Sequence, residues 1–358
     1  MLIKNIQLDN FRSYTKKTFE FSPGTTLVVG ANTAGKSNLL EAIFLLAFGK
    51  SPRADLDREM VRGDEKFGFV RATVSGSDDR DLEVVLTETG KRFRVNGVGR
   101  RLADFSQHFH VVLFSPEDLN LVIGNPDLRR RFLEFALGSV DPRYAQTSAE
   151  YDKVRRHRNR LLEQINKSFA SEEELGFWDA KFLEHGTLLQ DKRKEFFDEI
   201  NLQLETGNLQ LSYVPSGLTA ERLSELRPRE IAAETSLIGP HRDDFSFQAM
   251  GSRNVRGASV NGGTPLQEPV VGRDLAAYGS RGEQRRAVLA LKEAELRFVE
   301  KRIENRPVLL LDDIFSELDE ENRARVFDLI GDGQTIITTT DLNHVPAELQ
   351  KDLTVINL

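Results

Sequence analysis

The apolar positions of this chain change period along its length, and each period predicts a different kind of element. Over about the first 115 residues they mostly alternate. Ile3–Leu8, Thr18–Phe21, Thr25–Val29, Phe69–Ser75, Leu82–Thr87, Arg92–Val95 and His110–Phe114 read as strands, divided by turn signals at Ser22-Pro23-Gly24, Asn96-Gly97 and Ser115-Pro116. One largely apolar helix, Asn38–Phe48, interrupts them. From about Pro126 to Leu211 the spacing becomes helical. Asp127–Leu137, Ala149–Phe169 and Phe177–Leu204 are long, charged and almost free of Gly and Pro. Strand character returns at Phe245–Ala249, followed by a Gly-rich stretch from Gly251 to Gly272 that contains Gly262-Gly263 and reads as a loop. The last hundred or so residues alternate helix and strand: Gly282–Lys301, Pro307–Leu311, Glu320–Ile330, Thr335–Thr339. That order belongs to a parallel sheet with covering helices.

Two strands end in residues that carry chemistry. Thr25–Val29 runs into Gly30-Ala31-Asn32-Thr33-Ala34-Gly35-Lys36-Ser37, a complete GxxxxGK[ST] loop, with Asn38 continuing into the helix. Glycines at both ends let backbone N–H groups curl around phosphate oxygens, and the helix N-terminus adds positive potential. Lys36 supplies a charge for the outer phosphates of a nucleoside triphosphate, and the Ser37 hydroxyl is placed to ligate Mg²⁺. Val308-Leu309-Leu310-Leu311 discharges Asp312 and Asp313 at its C-terminal edge, where an open α/β sheet places its site. Asp312 is expected to hold Mg²⁺ through water, and Asp313 to polarise the attacking water as general base. Ser316-Glu317-Leu318-Asp319 follows, and Ser280-Arg281-Gly282-Glu283-Gln284 opens the helix before the acidic strand as a capping box. Because the phosphate loop is N-terminal and its partners are C-terminal, residues 1–120 and 235–358 are expected to form one ATPase head, with 121–234 an inserted, mainly helical lobe.

Composition narrows the setting. No run approaches the length of a membrane span, the first residues enter a strand pattern rather than a secretory segment, and cysteine is absent. A cytoplasmic protein without disulfides or thiolate metal sites is expected. His108-x-His110 lacks a third ligand and reads as a partly buried strand pair. The formal charge of −7 argues against general affinity for polyanions, so any nucleic-acid binding must come from a local patch or a surface made on assembly. Two patches qualify. Lys153, Arg156 and Arg160 share a helix face within a run of five basic residues in eight, and Arg129-Arg130-Arg131 is the alternative.

In combination, the phosphate loop, the SxGxQ segment, the hydrophobic strand ending in acids and the SELD loop resemble the ABC-type ATPase heads of the SMC class. The opening Leu8-Asp9-Asn10-Phe11-Arg12-Ser13-Tyr14 resembles the N-terminal motif of that class, which implies that Arg12 approaches the ATP phosphates. Ser115-Pro116-Glu117-Asp118-Leu119, Gly124-x-Pro126, Arg129 to Leu133 and Gly239-Pro240-His241-Arg242-Asp243-Asp244 are similar to segments of the bacterial RecF recombination-repair family. The resemblance implies an α/β fold: a mixed sheet with a phosphate-loop helix, an antiparallel β-subdomain and an inserted helical lobe. It implies an ATP-induced homodimer in which Ser280, Gly282 and Gln284 of one subunit face the γ-phosphate held by the other. It also implies slow hydrolysis, binding to duplex, gapped or junction DNA, and work with RecO and RecR in loading RecA. The chain departs from the family in three places. Asp313 stands where relatives usually carry Glu, Gln107 lies early for the Q-loop glutamine, and Thr340 takes the switch-histidine position with His344 too far along. An ABC transporter subunit is the alternative, but the Phe11-Arg12-Ser13-Tyr14 opening and the helical insertion do not resemble one. A GTPase lacks its base-reading motif, since Asn166-Lys167-Ser168-Phe169 fails at the last position, and a strut protein lacks its heptads.

Overall fold

The computed structural model describes residues 1–76, 78–204, 208–250, 272–316, 318–331, 333–341 and 353–358. Most of the Gly-rich stretch, Glu317 of the SELD loop and His344 lie outside the described residues. The chain divides into two compact units. The first comprises Met1–Asp118, Leu133–Gln146 and Glu295–Leu358; the second comprises Leu119–Phe132 and Thr147–Ala294.

Two sheets build the first unit. A five-stranded sheet, in the order Thr354–Asn357, Thr25–Val29, Thr335–Thr339, Val308–Asp312, Val111–Phe114, is parallel throughout. Every residue of Val308–Asp312 and of Thr335–Thr339 is buried, as expected for central strands of a parallel sheet covered on both faces. A six-stranded antiparallel sheet, in the order Tyr14–Glu20, Leu2–Phe11, Phe67–Ser75, Asp79–Thr87, Gly90–Val95, Val98–Arg100, stands as a separate sheet. The Lys36–Phe48 helix is buried along nearly its whole length, and Leu39, Ile43 and Leu46 join Ile6, Leu8, Val70, Val84 and Leu310 in one core. His110 is buried just before its strand, while His108 is half-buried in the preceding turn, so the pair does not lie within a strand as expected. Among the described residues no group of three or more His, Cys, Asp or Glu side chains is placed to hold a metal ion, and no helix is long and apolar enough to cross a membrane.

The second unit is mainly helical. Leu175–Leu204 buries Leu175, Phe182, Leu189 and Phe196 along one stripe. Leu209–Val214, Asp244–Ala249 and Arg273–Asp274 form a small antiparallel sheet. The first of these strands, the helix Ala220–Ala233 and, in the first unit, the strand Thr354–Asn357 have no counterpart in the sequence reading. The Gly239–Asp244 motif is the knot of this unit. Asp243, fully buried, accepts from Arg193 at 2.9 Å, Gln190 at 2.7 Å and the Ser216 amide at 2.8 Å, and also from the Tyr213 hydroxyl. His241 bridges the Tyr151 hydroxyl at 2.8 Å and the Ser236 carbonyl at 3.0 Å, and burial pushes its imidazole down to about 4. A buried carboxylate is tolerable only when hydrogen-bonded this fully.

Candidate active site

Strand Thr25–Val29 ends beside Thr335–Thr339, with the Gly30 amide bonded to the Thr339 carbonyl at 3.3 Å. The loop then turns through Thr33 at φ 72 and Gly35 at φ 107. A side chain at Gly35 would meet the Tyr14 hydroxyl at 2.7 Å, so both backbone angle and space require glycine there. Lys36 folds its ammonium back onto the Gly30 and Ala31 carbonyls at 2.7 and 3.0 Å, closing the loop on itself, while Ala31, Asn32 and Thr33 are exposed.

The N-terminal motif braces this loop from below. Tyr14 donates to the Gly35 carbonyl at 3.1 Å, and burial raises its phenol to about 12, so it remains a donor at neutral pH. Asn38 donates to the Ser13 hydroxyl at 2.9 Å. Arg12 is spoken for in this structure. Its Nε and Nη2 grip the buried Glu41 carboxylate at 2.9 and 2.6 Å, and Nη1 donates to the Glu59 carbonyl at 2.7 Å. Such a fork is a strong charge-assisted pair. Arg12 thereby ties the phosphate-loop helix to the Glu59 turn, directly below the loop whose phosphates the resemblance has it approach.

Across the sheet, Ser37 Oγ donates to Asp312 Oδ1 at 3.0 Å, and Thr338 Oγ1 donates to the same oxygen at 2.7 Å. A hydroxyl and a carboxylate oxygen this close are the hard oxygen donors that suit Mg²⁺. Asp313 sits in the left-handed region at φ 50, with its amide bonded to Thr338. Asp312 Oδ2 is held by Arg53 at 2.6 Å, and Arg53 also lies 3.7 Å from Glu117. The turn that carries Arg53 is fixed by Ser51, whose hydroxyl accepts from the Arg53 and Ala54 amides at 2.9 and 2.8 Å and donates to Glu41. One polar chain thus links Arg12, Glu41, Ser51, Arg53, Asp312 and Ser37.

Arg53, Thr338 and Glu41 were not singled out from the sequence. Glu41 had a signal, a lone carboxylate in an apolar helix; Arg53 and Thr338 had none. Gln107 lies before the N-terminal end of Val111–Phe114, at the sheet edge opposite the phosphate loop, and Glu117 is the residue that reaches the Asp312 side. Thr340 follows Thr335–Thr339 directly and is half-buried.

Ser280 belongs to the second unit. It is exposed and caps the Arg281–Ile303 helix reciprocally, its amide donating to Glu283 at 2.8 Å and its Oγ accepting from the Glu283 amide at 3.3 Å. Gln284 donates to the Leu275 and Gly279 carbonyls at 2.8 and 3.3 Å. Gly282 has neither a positive φ nor a close neighbour: a side chain there would meet only Arg286, at 3.9 Å.

One basic patch is corrected. Arg129 is 8% exposed, bonded to both oxygens of Asp244 at 2.6 and 2.9 Å and to two carbonyls, and Arg130 is held by Asp127 and the Asp243 carbonyl. They lock the second unit together and are not a free surface. Arg158, from the other run, is fully buried between Asp179 at 2.7 Å and Glu230 at 2.6 Å. Lys153, Arg156 and Arg160 are exposed.

The RecF/RecN/SMC N-terminal domain family matches residues 2–354. The DNA replication and repair proteins RecF of Bacillus cereus (strain G9842) and Bacillus thuringiensis (strain Al Hakam) are each 34% identical over 384 aligned positions, covering 100% of this chain and 97% of the relative. The structure of the recombination mediator protein RecF–ATP in the RecFOR pathway superposes with a TM-score of 0.82 at 30% identity, covering 96% of this chain and 93% of that one. The RecF–ATPrS structure gives 0.81 over 96% and 94%. A phosphate loop facing an acidic strand, joined to likeness along the entire chain, identifies it as a member of the RecF family of DNA replication and repair proteins, an SMC-like group of ABC-type ATPases.

Proposed function

We propose that this chain is an ATP-dependent DNA-binding protein of recombinational repair and replication restart. In this reading, Gly30 to Asn38 cradle the nucleotide, Lys36 serves its outer phosphates and Ser37 with Asp312 holds Mg²⁺, which neutralises phosphate charge when bound. Asp313 orients and deprotonates the attacking water. One observation carries the reading: Ser37 Oγ and Asp312 Oδ1, 275 residues apart in sequence, meet at 3.0 Å beside a closed phosphate loop. A solved relative is described as RecF–ATP, which supports the nucleotide assignment.

Two subunits would close on two ATP molecules, with Ser280, Gly282 and Gln284 of each addressing the nucleotide of the other. Gly282 supports this. Among the described residues a side chain at Gly282 would meet only Arg286, which leaves the helix start open to a partner. The ATPase head draws on both chain ends, residues 1–120 and 235–358, with 121–234 as the inserted lobe, although residues 235–294 pack in the compact unit of the lobe and 133–146 in that of the phosphate loop. DNA, duplex with a gap or a single-strand junction, would lie on a surface completed by dimerisation. Lys153, Arg156 and Arg160 make the phosphate contacts, which gives affinity with little sequence preference. The RecFOR pathway named for the solved relative supports partnership with RecO and RecR, and the reading adds RecA loading in the cytoplasm. The test is oligomeric state and gapped-DNA affinity, each with and without ATP. ATP should produce a dimer and strengthen DNA binding. A monomer with unchanged DNA affinity in both conditions would overturn the assembled-surface reading.

A further inference from the structure

The six-stranded antiparallel sheet of the first unit covers the core with one face and turns the other to solvent. Along Phe67–Ser75 the buried positions are Gly68, Val70, Ala72 and Val74, so Phe67, Phe69, Arg71 and Thr73 stand on the open face. Strand register extends that face into rows. Lys16, Asp9, Phe69, Val85 and Arg92 are successive cross-strand neighbours, and the next row is Thr18, Gln7, Arg71, Glu83 and Arg94. At ~4.8 Å between strands, each row spans roughly 19 Å. Phe67, paired with Thr87, begins a third row on the other side of the first.

Two features set this end of the face apart. The open side of an antiparallel sheet is ordinarily polar. Here Phe67 is 49% exposed, Phe69 is half-buried beside it with 5.5 Å between ring centroids, and Val85 adjoins Phe69. A single exposed ring needs no explanation, whereas adjoining apolar side chains on a polar face mark an interaction surface. The second feature is charge. Buried Glu83 accepts from Arg71 Nε at 2.9 Å and from Arg94 Nη1 at 2.8 Å. One carboxylate between two guanidiniums leaves a net positive charge, and both arginines remain about half exposed with donors to spare. Arg92 and Lys16 are exposed as well. Asp9, opposite Lys16, is the other carboxylate at this end; Glu20, Asp79 and Asp81 lie toward the far end of the face. A chain of formal charge −7 thus carries a basic, aromatic patch.

We propose that this end of the sheet is a platform for an unpaired nucleic-acid strand, with bases stacked on Phe67 and Phe69 and backbone phosphates taken by Lys16, Arg71, Arg92 and Arg94. The assignment rests on the chain being a DNA-binding protein. It gives the unpaired strand to the first unit and leaves duplex phosphates to Lys153, Arg156 and Arg160 of the second. An open antiparallel sheet with exposed rings suits single strands because every unpaired base offers a π-face, whereas the bases of a duplex are already stacked on one another. An acidic protein segment would answer the cations alone. Two adjoining rings with Lys16 on one side and Arg92 on the other match the alternation of base and phosphate along a strand.

Fluorescence anisotropy of the full chain, at low salt and without nucleotide, tests this with an oligothymidylate, an abasic oligomer of equal length and a duplex. The oligothymidylate should bind about tenfold or more tighter than the abasic oligomer, because stacking is lost with the bases. Phe67→Ala, at an exposed position, should remove most of that difference and leave the abasic oligomer unaffected; Phe67→Tyr should retain it. Arg92→Gln should weaken both oligomers alike and reduce the salt slope by about 0.7. Equal affinity for the two oligomers, or an undiminished difference in Phe67→Ala, would overturn the proposal. Absence of oligothymidylate binding would also overturn it and leave the face to an acidic protein partner. Loss of that binding on replacing Arg156 and Arg160 with Ala, with Phe67→Ala silent, would overturn it in favour of the helical unit. Duplex affinity indifferent to ATP would instead count against the assembled surface alone.

Discussion

Arg53 and Asp312, 259 residues apart, form an ion pair at 2.6 Å on the carboxylate that also faces Ser37. Arg53 is about one-third exposed and Asp312 nearly buried, so the arginine can leave toward solvent while the aspartate cannot. A divalent ion approaching Asp312 therefore competes with a guanidinium already in place. Arg53→Ala should tighten divalent binding to the nucleotide-loaded protein by up to about tenfold, equivalent to ~1.4 kcal/mol. Mn²⁺ titration followed by electron paramagnetic resonance reads this directly. An unchanged affinity would mean that the ion and Arg53 do not share the carboxylate.

Lys36 and Asp313 separate binding from chemistry. Lys36→Ala should abolish ATP capture and ATP-dependent dimerisation, as judged by equilibrium binding and light scattering. Asp313→Asn keeps the shape and tolerates φ 50, since Asn visits the left-handed region readily. Hydrolysis should fall by roughly 10²–10⁴ while the ATP-bound dimer persists. A variant that hydrolyses normally would place the base elsewhere.

Ser280 has a structural role as a helix cap, so the replacement needs a control. Ser280→Ala removes the cap at a cost of about 1 kcal/mol. Ser280→Arg adds bulk on the exposed face as well. Both should bind ATP as monomers, and only Ser280→Arg should lose dimerisation entirely. An ATP-dependent dimer that survives in Ser280→Arg as it does in Ser280→Ala would leave Ser280 as a cap alone.

DNA contact by the exposed helix face has a signature in salt. Affinity should fall by ~0.9 log units per tenfold rise in salt for each duplex phosphate neutralised. Replacing Arg156 and Arg160 with Ala should flatten that slope. Arg129→Ala should instead unfold the second unit, because its two-oxygen partner Asp244 loses its counter-charge. Circular dichroism and DNA titration together distinguish the two outcomes.

Two buried histidines set an acid limit. His110 and His241 are held neutral, with folded values pushed from about 6.5 to about 4 by burial. Below pH 6.5 the unfolded chain takes up protons that the folded chain refuses. Stability is therefore complete above 6.5 and falls as pH drops toward 4, by roughly 3 kcal/mol for each histidine. Urea unfolding across that range should show the slope, and His241→Gln should remove about one proton from it.

What the sequence determined was local. Thr25–Val29, Glu320–Ile330 and Thr335–Thr339 have the bounds their residue patterns predict, because strand and helix periods are written in consecutive side chains. The phosphate loop and the Ser280–Glu283 capping box were legible for the same reason: each is completed within a few residues. Charge was not legible in this way. Within one basic run Arg158 is fully buried while Arg156 and Arg160 are exposed, since a helix turns 3.6 residues per turn and only Arg158 meets Asp179 and Glu230. Arg53 and Thr338 carry no motif at all; they join Asp312 only because parallel pairing sets Asp312 beside Thr338 and the Ser51 turn aims Arg53 at it. Short-range order follows from neighbours in the chain, whereas the partner of a charge is chosen by whatever the fold brings within about 3 Å.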